Sequence, residues 1–153
     1  MQSKSKGMAE KARENCYRKI CSLALLCDVP IPKVEFADCF PIIPGVLYAY
    51  GGQYYVDSKT IRLSPTPPEM FPTLTTAIHE FIHYYVDLKT ADNSELTELA
   101  ITNKEEEIEK LSKIIMRHPK NAKGLLDVFL KQIQAEKERL LKQIGPSRLL
   151  SHV

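Results

Sequence analysis

The chain has 153 residues, 44% of them hydrophobic, enough for one buried core, and the length favours one domain over two. With 26% charged residues and a formal net charge of +2, it has no broad basic field of the kind that gathers nucleic acid or anionic lipid. The lysines near the N-terminus are not followed by an apolar run with a small-residue cleavage site, and the apolar stretch 20–27 is short and interrupted, so the expectation is a cytoplasmic chain with no membrane span.

Across residues 8–27, Cys16, Ile20, Leu23, Ala24 and Cys27 recur at three- and four-residue intervals, which predicts an amphipathic helix ending before Pro30 and Pro32. Cys16, Cys21, Cys27 and Cys39 all fall near the start of the chain. None of their spacings is the two-residue gap of a zinc knuckle, so they read as reduced, partly buried thiols. The period then changes. Val34, Phe36 and residues 46–50, 54–56 and 60–63 are rich in β-branched and aromatic side chains and predict short strands. Gly51-Gly52 can supply a positive φ and Asp57-Ser58 can bond back to nearby backbone, so a small antiparallel meander is expected.

Residues 64–68, Ser-Pro-Thr-Pro-Pro, form a rigid connector into a helix over 69–88, with Pro72 tolerable in a first turn and Thr73, Thr75 or Thr76 available as its cap. Asp92, Asn93 and Ser94 break the chain. A helix over 95–116 follows, with Leu99, Ile101, Ile108, Leu111 and Ile115 apolar and Pro119 as its stop. The last helix, 122–144, carries Leu125, Leu126, Phe129, Leu130, Ile133 and Leu140 and ends at Gly145-Pro146. The expected fold is α+β: an N-terminal helix, a short antiparallel sheet, a helix bearing the site, then two further helices. One domain spans 1–153, with a core of about 8–144 and a tail over 145–153.

The helix over 69–88 carries His79-Glu80-Phe81-Ile82-His83. Histidines four apart project from one helical face and can grip a single ion, here one Zn²⁺ per chain. Glu80, one step round, can take a proton from a water activated by the metal and pass it to a leaving amine. Ile78, Phe81 and Ile82 make the flanking positions apolar, so the polar stripe is expected to be buried and to need partners. The plainer alternative is a pair of satisfied histidines with an incidental glutamate between them. An open catalytic site takes three protein ligands, and the candidates for the third are Glu95, Glu98, Glu105, Glu106, Glu107 and His118.

The motif followed by a glutamate on the next helix resembles the gluzincin class of metallopeptidases, whose third zinc ligand is a glutamate. Residues 105–116, Glu-Glu-Glu-Ile-Glu-Lys-Leu-Ser-Lys-Ile-Ile-Met, resemble the acidic helix of the ImmA/IrrE-like metallopeptidases. There the ligand is followed four residues later by a group that orients a metal-bound histidine, which implies Glu105 as ligand and Glu109 as its companion. Ile108 stands where a small residue is usual, and Glu109 where asparagine or aspartate is usual, so Glu106 and Glu107 remain candidates. Residues 60–64, Thr-Ile-Arg-Leu-Ser, resemble the zincin strand that pairs with an extended substrate. The likeness covers about residues 48–116 and implies a zincin-like domain acting on a peptide or protein substrate.

The small size and the tail also resemble the archaeal minigluzincins, which implies a homodimer kept latent by residues 147–153. Tyr84, Tyr85, Arg117 and His118 are nominees for a second donor to the oxyanion. One rival is a catalytically silent regulatory or binding protein on the same scaffold. A nucleic-acid role for Arg117, Lys120, Lys123, Lys131, Lys137, Arg139 and Lys142 is weakened by the interleaved Asp127, Glu136 and Glu138, which suit a solvated face.

Overall fold

The computed structural model describes residues 2–37, 51–65, 71–90 and 95–144. The expected strand at 46–50, most of the proline connector, the break at 92–94, Cys39 and the tail lie outside them. The described residues are α+β, with five helices and a three-stranded sheet.

Helix α1 (Gln2–Leu26) buries the stripe formed by Cys16, Ile20, Leu23 and Ala24, continued by Cys27 just beyond it. Its end follows from backbone geometry. Asp28 takes a left-handed φ of 57°, the Val29 N–H donates to the Ala24 carbonyl at 3.0 Å, and the Asp28 N–H donates to Leu25 at 3.3 Å. That pair of bonds is a Schellman stop, with aspartate in the place glycine usually holds. Pro30 and Pro32 then keep the chain extended into β1 (Lys33–Phe36).

Strands β2 (Gly52–Tyr55) and β3 (Thr60–Leu63) form the expected antiparallel hairpin, with Lys59 at φ 53° in the turn. β1 departs from a meander. It lies parallel to β3, with Val34 opposite Ile61, so the sheet is mixed and its order is β1-β3-β2. β3 is central because it is the most apolar of the three, with Thr60, Ile61 and Leu63 buried. Gly52 sits in the β2 ladder opposite Leu63, not in a turn.

Helix α2 (Leu74–Lys89) starts after Thr73, whose hydroxyl accepts the Thr76 N–H at 3.2 Å; Pro72 falls ahead of this cap. It is the hub of the molecule. Ala77, Ile78, Phe81, Ile82, Tyr85 and Val86 are fully buried against α1, the sheet and the later helices. The helix expected over 95–116 is two helices, α3 (Glu95–Asn103) and α4 (Glu105–Arg117). No glycine or proline marks the break at Lys104. It arises because α3 packs chiefly on α5 (Ala122–Ile144) while α4 packs on α2. A short 3-10 turn, Pro119–Asn121, joins α4 to α5. Among the described residues, no helix is long and apolar enough to cross a membrane.

Candidate metal centre

The four-residue spacing on α2 puts His79 and His83 side by side, with ring centroids 5.2 Å apart and each side chain about one-fifth exposed. Donor atoms of His79, Glu80 and His83 lie within 4.8 Å of one another. Opposite them stands the first turn of α4. Glu105 Oε2 is 3.1 Å from His79 Nε2, and Glu105 Oε1 is 2.9 Å from His83 Nε2. Glu109, one turn on, lies 3.0 Å from His79 Nδ1. Both nitrogens of His79 therefore face a carboxylate, one on each side of the ring.

Of the other candidates, Glu106 is exposed, while Glu107 borders a separate groove between α4 and α5 with Lys110 and Leu111. Glu95 is exposed at the start of α3. Glu98 lines the cavity, on the α3 wall. His118 caps the far end of α4, about 20 Å along the helix from Glu105.

The cavity has a volume of about 920 Å³ and runs past the histidines between β2, α2 and α3. Tyr54, Ile101 and Thr102 are among its walls. Glu80 opens onto it yet is only 6% exposed, because β2 crosses over its side chain.

Electrostatics divide the two glutamates. Burial raises the pKa of Glu80, against the pull of His83 and His79, so part of its ionisation cost is offset by the imidazoles. Burial also acts to raise Glu105, but bonds from His79 and His83 outweigh it and hold that carboxyl down to about 2. For His79, burial works against the charged form, yet its contacts with Glu105, Glu80 and Glu109 carry the net shift upward.

Four nominees for a second donor lie elsewhere. The Tyr84 hydroxyl donates to the Pro30 carbonyl and the Tyr85 hydroxyl to Asp127 Oδ1, each at 2.6 Å, so both are spent in the core. Arg117 and His118 sit at the wrong end of α4. The structure instead brings Tyr54 to the cavity wall, its hydroxyl donating to Asp87 Oδ2 at 2.6 Å, with Lys59 paired to the same oxygen. Asp87 follows His83 by four residues, a spacing that could have marked it as belonging to the same helical face. Nothing in the local sequence singles out Tyr54.

The strand expected to pair with substrate, residues 60–63, is not at an edge of the described sheet. Its residues are hydrogen-bonded to β1 on one side and β2 on the other, and of the two outer strands it is β2 that lines the cavity.

The donor set, two imidazole nitrogens with carboxylates beside them, suits a borderline-soft divalent ion: His79, Glu80 and His83 each offer a donor atom to one small region, and Glu105 meets the two histidines through different oxygens. Tetrahedral coordination at zinc spaces donor atoms about 3.3 Å apart, and each imidazole nitrogen lies slightly closer than that to one oxygen of Glu105. The chain matches no protein-family model, no curated protein and no solved structure. The cluster, not kinship, is what speaks for a metal.

Proposed function

We propose that the chain is a zinc-dependent peptidase of gluzincin type, with His79, His83 and Glu105 as ligands and Glu80 as general base. The observation that carries this reading is the meeting of both His Nε2 atoms with the two oxygens of Glu105, beside a buried Glu80 and a cavity of about 920 Å³. Bound zinc would polarise a water molecule for attack on a peptide carbonyl. Glu80, held against the cavity by β2, would accept a proton from that water and return it to the leaving amine. Glu109 would keep the His79 ring oriented by accepting from Nδ1. An extended substrate would lie along the cavity beside β2, which among the described residues is an edge of the sheet.

Elemental mass spectrometry on tag-free protein tests the metal, with one zinc per chain expected. Replacing Glu80 by glutamine should keep that zinc and lower cleavage of an unfolded-peptide library by roughly 10²- to 10⁴-fold. Equal cleavage by the two proteins would remove Glu80 from the mechanism. Zinc with no cleavage by either would leave a metal-bearing binding protein.

A further inference from the structure

Gly52 is not in a left-handed conformation, and it pairs in register with Leu63 as any extended residue could. Its backbone therefore does not require glycine. Its surroundings do. A Cβ at this position would lie 2.9 Å from Glu80 Cγ, 2.9 Å from Thr76 Cγ2 and 3.2 Å from Leu63 Cδ2. Separations under 3.0 Å are hard overlaps, so something must yield.

The side-chain alternation of β2 explains why the empty position falls there. Gly52 and Tyr54 face α2, where the Tyr54 ring packs edge-on to Tyr84 at 5.8 Å and its hydroxyl reaches Asp87. Gln53 and Tyr55 share the opposite face, joined by a Tyr55 hydroxyl bond to Gln53 Oε1. The strand thus fills every α2-facing place except the one above Glu80. Thr76 has little freedom to withdraw, because its hydroxyl accepts from Thr73 at 2.8 Å and turning to the other helical χ1 rotamer of threonine would break that bond. Leu63 is fully buried. Glu80 alone of the three is a long unbranched chain whose end borders open cavity.

We infer that Gly52 is a positioning residue: the absence of a side chain there sets where the Glu80 carboxylate stands relative to His79 and His83. The role in turnover rests on the peptidase reading above, but the geometric claim does not.

The test is the crystal structure of G52A beside the wild type, with zinc content and turnover of the same peptide library measured on both. The Glu80 carboxylate is expected to move by about 1 Å or more while both imidazoles stay in place. Zinc content should hold, and kcat should fall more than about tenfold with little change in KM. G52A/T76S, which removes the Thr76 methyl group and with it one of the two overlaps, should bring the carboxylate part of the way back and recover part of kcat. A methyl at position 52 accommodated with Glu80 unmoved overturns the proposal. So does a G52A/T76S chain that cannot fold, since Gly52 would then serve only core packing. If the wild type cleaves nothing, the peptidase reading fails while the position of Glu80 in the two crystals still decides the role of Gly52.

Discussion

His79 is the most constrained side chain of the candidate centre, with Glu105 at one ring nitrogen and Glu109 at the other. An imidazole whose Nδ1–H is held by a carboxylate presents Nε2 as a lone pair, the form a metal needs. Replacing Glu109 by alanine should therefore weaken zinc binding by roughly 10- to 100-fold, measured by competition with a chromophoric chelator. Unchanged affinity would mean that the His79 ring is oriented by its packing alone. At this scale spacing along one helix marks out the two histidines and the intervening Glu80, whereas Glu105 with Glu109 follows from the resemblance to the acidic helix, since spacing alone leaves six candidates for a third ligand. The sequence is silent on Tyr54 and assigns Gly52 to a turn instead of the ladder, because both depend on which strand crosses α2.

Asp28 ends α1 in a left-handed conformation that costs every residue but glycine something. Asp28→Gly should therefore stabilise the fold by about 0.5–1 kcal/mol, read as a higher urea midpoint at unchanged slope. A lower midpoint would show that the aspartate side chain contributes more than its backbone costs. Helix stripes, the hairpin and the Thr73 cap were legible because each is a local arrangement of a few residues. The division of residues 95–117 into α3 and α4 was not, since Asn103-Lys104 carries no breaker and two different packing partners impose the bend. The parallel seating of β1 beside β3 was equally hidden. Strand propensity says that a segment is extended, not which neighbour it will choose.

The core as a whole holds several weak acids in their neutral forms. Burial pushes the Cys16 and Cys27 thiols from an ordinary 9.0 up to about 11, and it also raises the Tyr54 and Tyr85 hydroxyls, each further raised by a bonded aspartate. A raised folded-state pKa gives stability that is complete below the unfolded value and is lost as pH climbs through the folded one. Stability should thus be flat from neutral pH to about 9 and decline toward about 11, followed by denaturant midpoints across that range. Replacing Cys16 and Cys27 by alanine should flatten the decline, whatever it costs in absolute stability; an equally steep decline would assign it to the tyrosines alone. The break at Lys104 has a consequence of another kind, in rotational phase. On a continuous helix each residue added or removed upstream would swing Glu105 by about 100° around the axis, away from the histidines. Because α4 begins afresh after Lys104 and takes its bearing from α2, α3 can change length without turning that carboxylate, so the wall of the cavity and the placing of Glu105 against the histidines are free to vary independently.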